Sequence, residues 1–148
     1  MSPGSKIDIR EEINRLKARK PALVIRARVL QALRRCLVEK GYLEVETPHI
    51  VPTPAPELHI DPIPVESGYL HTSPEVCMKR LFAAGYDRIF QICKCFRKAE
   101  RGTNHLPEFT MLEWYRAGID YTDLMADCEE LVAQVVKEVV SGDTIEYR

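Results

Sequence analysis

An arginine, a phenylalanine, a glutamate and a tyrosine stand at even spacings in the stretch FRKAERGTNHLPEFTMLEWY, residues 96–115. Their types suit three kinds of partner. An arginine fork grips a phosphate through two parallel hydrogen bonds, an aromatic ring stacks on a base, and a desolvated carboxylate takes an ammonium group. If residues 88–97 and 108–116 are strands, residues two apart share a face. Gln91, Cys93, Cys95 and Arg97 then lie on one face of the first strand, and Phe109, Met111, Glu113 and Tyr115 on one face of the second. Joined as a hairpin through residues 98–106, these strands would line one concave surface with Arg97, Phe109, Glu113 and Tyr115, and His105 would stand at its mouth. A nucleotide and an amine are the ligands that fit. Taken singly, each residue also has a plain reading: Phe109 and Tyr115 as core, Arg97 and Glu113 as a structural ion pair, and His105 as a loop histidine.

The elements that must hold this face are read from periodicity. Residues 21–40 carry Leu23, Ala27, Leu30, Leu33 and Leu37 at helical spacing, with Pro21 suited to a first turn and Gly41 to the stop. GYLEVETP follows, alternating Leu43, Val45 and Thr47 against Tyr42, Glu44 and Glu46, a short strand ended by Pro48. Six of the ten prolines fall in residues 47–66, which predicts irregular or extended chain with a short edge strand around 58–60. YLHT reads as a further short strand. SPEVCMKRLFAAGY reads as a helix with Ser73 as N-cap, Pro74 at the first position and Glu75 in the first turn. A last helix covers residues 121–140, with apolar positions 124, 128, 131, 135 and 139 on one side.

Composition excludes several classes. The chain has 148 residues, 45% hydrophobic and 29% charged. One domain is the default at this length, and it can bury roughly 68–70% of its unfolded surface. No apolar run approaches a membrane span of about 20 residues, and the first residues, MSPGSKIDIREEI, lack the apolar segment of a secretory signal. A cytoplasmic protein with five reduced cysteines is the expectation. Charge is uneven along the chain: residues 1–40 hold 11 Lys/Arg against 4 Asp/Glu, and residues 41–148 hold 10 against 18. Arg26, Arg28, Arg34 and Arg35 read first as a solvated helix face and second as a surface for an acidic partner. Cys93 and Cys95 share a face and could be half of a metal site. No second cysteine or histidine pair stands at a recognised spacing, so they read as small buried hydrophobes and no metal ligand is assigned.

The segment FR followed by a loop ending in HLPEFTMLE resembles motif 2 of the class II aminoacyl-tRNA synthetases, and specifically the lysyl branch. GYLEVETP is similar to motif 1 of that family, with Pro48 at the position used in the dimer interface. HTSPEVCMKRL resembles the segment of the lysyl enzymes that contributes a glutamate to amino acid binding. The likeness covers about residues 20–135, and the run PEFTMLEWY is shared with the short lysyl-type ligases that attach β-lysine to elongation factor P.

This resemblance implies an α+β fold: a class II-like antiparallel sheet flanked by helices, with motif 1 over about residues 21–48 and motif 2 over about residues 89–116. It implies that Arg97 holds the ATP α-phosphate, Glu100 and His105 contact the nucleotide, and Phe109 stacks on adenine. Glu113 and Tyr115 would receive the side-chain amine of lysine, with Glu75 near the amino acid. The sequence departs from the pattern where the usual FRxE would place its glutamate at Ala99 rather than Glu100, and where an asparagine after the histidine is replaced by Leu106. No third motif and no anticodon-binding barrel is expected within these residues, so the chain reads as the N-terminal half of a catalytic domain. Magnesium would then be liganded from outside it. Three functions follow as expectations: ATP-dependent activation of lysine or β-lysine for transfer to elongation factor P, aminoacylation of tRNA, or an inactive paralogue or fragment that dimerises or binds ligand. A homodimer is implied, and no membrane partner.

Overall fold

The computed structural model describes residues 8–139 and is α+β. The chain divides into two compact units, one formed by residues up to 36 together with those from 121 onward, the other by residues 37–120. No helix among the described residues is long and apolar enough to cross a membrane.

The first unit is helical. α1 (Ile9–Glu39) begins twelve residues earlier than its apolar spacing predicts, and Pro21 lies inside it rather than in its first turn. The start is set by Asp8, whose Oδ1 accepts from Arg10 N at 2.9 Å, with Glu11 and Glu12 in the first turn. A side-chain cap and two carboxylates at the positive end of the helix dipole stabilise this turn. Pro21 has no N–H to offer the preceding turn, so the helix crosses it with one hydrogen bond fewer. Leu23, Val24 and Ile25 are exposed there, and burial on α1 begins only at Ala32 and Cys36. α3 (Tyr121–Val139) follows its predicted stripe: Leu131 is buried, while Met125 and Val132 off the stripe are exposed. Residue 140 lies outside the described residues. Arg35 forms an ion pair with Glu138, within this unit.

The second unit holds the sheets. α1 ends where Gly41 was expected to stop it: Gly41 takes φ +79°, its N–H reaches Val38 O at 3.0 Å, and Tyr42 N reaches Leu37 O at 3.0 Å. This paired closure is a Schellman motif. It turns Tyr42 inward and leaves Leu43 exposed, against the alternation read from the sequence, which holds from Val45 to Thr47. β1 (Leu43–Glu44) pairs parallel with β5 (Arg88–Phe96), and β5 pairs antiparallel with β6 (Glu108–Arg116). The sheet is therefore mixed rather than antiparallel, because a long crossover that includes α2 (Glu75–Ala83) separates β1 from β5, and such crossovers join parallel neighbours.

A second sheet runs β2 (Ile50–Val51), β4 (Gly68–Leu70), β3 (Ile63–Val65). The edge strand expected around residues 58–60 is absent: Leu58 and His59 form a turn closed by Ile60 N to Glu57 O. Pairing passes instead to β3, an edge strand able to contain Pro64 because one side of it needs no partner. Gly68 sits at φ +145°, and a Cβ there would lie 2.4 Å from Val51 O, so the β3–β4 hairpin requires glycine at that place.

Candidate active site

β5 and β6 are both nine residues long and are the longest strands described. Their register sets Gln91 opposite Glu113, Cys93 opposite Met111 and Cys95 opposite Phe109. Arg97 N then bonds Pro107 O at 2.9 Å, carrying the ladder one step past the strand end. Arg97, Phe109, Glu113 and Tyr115 consequently share one face, as the two-residue spacing predicts. The Arg97 guanidinium lies 5.0 Å above the centre of the Phe109 ring, a cation–π stack. Its Nε donates to Thr72 O at 3.4 Å, and its Nη1 stands 3.8 Å from Glu100 Oε1. The fork is thus oriented by three neighbours while its side chain keeps 22% exposure for a ligand.

Glu113 does not pair with Arg97. Each of its oxygens takes one neutral donor: Tyr115 OH at 2.6 Å on Oε1 and Ser73 Oγ at 2.7 Å on Oε2. Ser73 Oγ in turn accepts from Glu75 N at 3.1 Å, so the predicted cap of α2 also fixes the carboxylate of β6. Two neutral donors orient the carboxylate and leave its charge uncompensated by an arginine. Burial, and then the bond to Glu113, push the Tyr115 phenol well above its ordinary range. The phenol therefore stays a donor throughout the neutral range. Phe82 of α2 packs on the Tyr115 ring at 5.8 Å between centroids.

Glu75 lies at the start of α2 and forms an ion pair with Lys79, one turn on. The hydrogen bond and charge of Glu75, and more weakly the charge of Glu113, raise the Lys79 pKa. An ammonium group native to the chain thus already stands in the field of both carboxylates. Glu100 joins the Arg97 end of the face, just after Ala99, which adopts φ +61°. His105 does not join: it is exposed in the loop, and its carbonyl accepts from Gly102 N at 3.2 Å. Pro48 is exposed and lines a cavity of about 430 Å³ with Thr47, Cys77 and Arg80.

Residues 8–147 match the family described as tRNA synthetases class II (D, K and N). The chain belongs to that family. Among its relatives, an elongation factor P–(R)-β-lysine ligase of Vibrio atlanticus is 45% identical over 122 residues, covering 76% of this chain and 38% of the relative. A ligase of the same name from Pseudoalteromonas translucida is 41% identical over 133 residues, covering 83% of this chain and 41% of the relative. A lysine–tRNA ligase of Aliivibrio salmonicida is 39% identical over 132 residues, covering 85% of this chain and 26% of the relative. The chain spans about two fifths of the length of the first two and about a quarter of the third.

Several site residues escaped the sequence reading. Ser73 was assigned only a capping role, although its hydroxyl also reaches forty positions along the chain to Glu113. Gln91 is buried, accepts from Thr47 Oγ1 at 3.0 Å, and leaves its Nε2 without a hydrogen-bond partner among the described residues. His71, 2% exposed, meets Cys93 and Cys95 from the segment after β4. The bond from the Cys95 thiol and the neighbouring His71 bring Cys93 down to about 5, and the same bond pushes Cys95 up. Burial pulls His71 down, but Cys93 and the Lys94 carbonyl outweigh it and hold its pKa above the ordinary value. Only the alternation of Cys93 and Cys95 was visible in sequence.

Proposed function

We propose that this chain carries the α-phosphate grip and the amine pocket of an ATP-dependent lysine ligase. Such an enzyme activates lysine or β-lysine as an adenylate and transfers it to an acceptor, elongation factor P. The observation that carries the reading is the Glu113 carboxylate, held by Ser73 and Tyr115 on the same sheet face as the Arg97–Phe109 stack. An amine at one end and a nucleotide at the other is what joining an amino acid to ATP demands.

In this reading the substrate carboxylate attacks the α-phosphorus of ATP. A bond forms between carboxylate oxygen and phosphorus, and pyrophosphate leaves with the electrons of the broken P–O bond. The chain's residues contribute position and charge rather than a nucleophile or a general base. Arg97 donates to the α-phosphate oxygens, Phe109 offers its ring to adenine, and Glu113 with Tyr115 receives the substrate ammonium. Glu75 stands near the amino acid, and Lys79 stays paired with Glu75 when the substrate amine enters. Glu100 steadies Arg97 and, with His105 once the loop closes, contacts the nucleotide. The buried Gln91 Nε2 and Thr72 Oγ1 lack hydrogen-bond partners among the described residues, and a polar ligand on this face would satisfy them. Magnesium prefers an octahedron of oxygens shared with phosphates. The carboxylate beside Arg97 is Glu100, already engaged with the guanidinium, so these residues do not fit a magnesium cage.

A second reading, transfer to tRNA, has support from the lysine–tRNA ligase similarity over the same residues. Exposed apolar residues along α1, Ile9, Ile13, Leu16 and Leu23 among them, support a homodimer in which Pro48 contributes to the interface. The test of function is lysine-dependent exchange of labelled pyrophosphate into ATP, followed by supply of either acceptor. It is run on this chain and on a chain of the relatives' length. The longer chain should exchange and should modify elongation factor P, and this chain alone should bind without turnover. Exchange that ignores lysine would refute the reading, and charging of tRNA alone would favour the second.

A further inference from the structure

Neither the nucleotide nor the amine accounts for Cys93 and Cys95. Both are buried on β5, with their sulfurs 4.0 Å apart. His71, in the segment after β4, brings a ring nitrogen to them, and all three donor atoms lie within 4.8 Å of one another. Its Nε2 stands 2.6 Å from the Lys94 carbonyl oxygen. A carbonyl can only accept, so Nε2 carries the proton and Nδ1 is left for other use. Nδ1 is buried and has no hydrogen-bond partner among the described residues. An imidazole with one N–H fixed on a backbone carbonyl and its other nitrogen unmet is the posture of a metal-ligating histidine. Met111 adds a thioether, its Sδ 3.9 Å from Cys95 Sγ.

We propose that His71, Cys93 and Cys95 form a three-coordinate site for a soft monovalent ion, Cu(I), bridging β5 and the segment that leads into α2. The spacing fits such an ion: two metal–sulfur bonds of about 2.3 Å opened to about 120° separate the sulfurs by about 4.0 Å, the distance found. Thiolate and thioether donors select soft ions. Coordination number then separates copper from zinc. Structural zinc takes four strong ligands, whereas the buried group here offers three, with the Met111 thioether beside Cys95. Binding takes both cysteines as thiolates: the thiol proton of Cys95 is released to solvent, and two metal–sulfur bonds and one metal–nitrogen bond form, with no change of oxidation state. His71 also walls a cavity of about 160 Å³ with Val51, Ser73 and Cys77. Occupancy would pin residues 71–73 to β5, and with them the Ser73 hydroxyl that holds Glu113.

The test is anaerobic titration of the reduced protein with Cu(I) against a chromophoric chelator, together with X-ray absorption at the copper edge. The expected result is one tightly held ion per chain with two sulfurs and one nitrogen in its first shell. Cys93→Ser and Cys95→Ser should each weaken binding by more than the roughly 100-fold that loss of a supporting outer residue can cost, and Cys77→Ser should leave it unchanged. Should the first two variants unfold, the wild-type absorption spectrum decides alone, and a shell lacking either the two sulfurs or the nitrogen overturns the site. Tighter retention of Zn(II) than of Cu(I) by the same three residues overturns the assignment of the ion. Affinity indifferent to Cys93 and Cys95 overturns both.

Discussion

Glu113→Gln isolates the charge of the amine pocket while keeping its size. Glu113 accepts from Tyr115 and Ser73 at 2.6 and 2.7 Å, and a substrate ammonium would add a charged donor to the same two oxygens. Glutamine keeps one oxygen and replaces the other with an NH₂ that cannot accept. One of the two resident donors is displaced, and the ammonium loses its counter-charge. A hydrogen bond to a charged group contributes about 1.5–3 kcal/mol, and breaking a fully buried ion pair costs about 3–5 kcal/mol. Glu113 is half-buried, so the lower range applies, about 1.5–3 kcal/mol, or roughly 10–150-fold in Kd. Calorimetric titration of lysine into wild type and variant measures this directly, with ATP titrated in parallel. ATP affinity should stay within about threefold, since the nucleotide grip lies at Arg97. Unchanged lysine affinity, or wild type that binds norleucine as well as lysine, would refute the assignment.

Tyr115 gives a pH test. Its phenol is raised in the folded state, by burial first and Glu113 second, so its contribution to stability is complete below the unfolded value near 10 and is lost as pH rises through the folded one. Wild type should therefore lose stability between pH 9 and 11 more steeply than Tyr115→Phe, as followed by thermal melts, and parallel curves would contradict the shift. Gly68→Ala places a Cβ 2.4 Å from Val51 O at φ +145°. Strain of this kind amounts to about 1–3 kcal/mol before the clash is added, so chemical denaturation should show at least that loss, and an unaltered midpoint would mean the β3–β4 hairpin shifts freely. Sedimentation should show a dimer that dissociates when Leu16 and Leu23 are both changed to lysine, and a clean wild-type monomer at high concentration would remove the dimer proposal.

The central hairpin was legible because each strand is nine residues without Pro or Gly on either side of a polar loop, and the face shared by Arg97, Phe109, Glu113 and Tyr115 follows from counting by two. The stop at Gly41 and the stripe of α3 were legible for the same reason: one residue type or one period fixes them. The start of α1 was misread because Pro21 looks like a first turn, whereas the cap at Asp8 with Glu11 three residues on was a weaker but truer signal. The strand read in residues 41–48 forms only over Leu43–Glu44, a two-residue strand such as β2 carries too little alternation to read, and the parallel pairing of β1 with β5 depends on a crossover that no local pattern encodes. The meeting of His71 with Cys93 and Cys95 was hidden for a related reason. Metal spacings are recognisable when ligands lie close in sequence, and here twenty-odd residues and a helix intervene.

The most direct test of the account is a structure of the protein bound to a non-hydrolysable lysyl-adenylate analogue. The account predicts the ligand's side-chain ammonium on the Glu113 carboxylate, its phosphate mimic within reach of the Arg97 fork, and its adenine against Phe109, with Lys79 still paired with Glu75. An analogue bound with its amine remote from Glu113, or lying on the opposite face of β5 and β6, would contradict it.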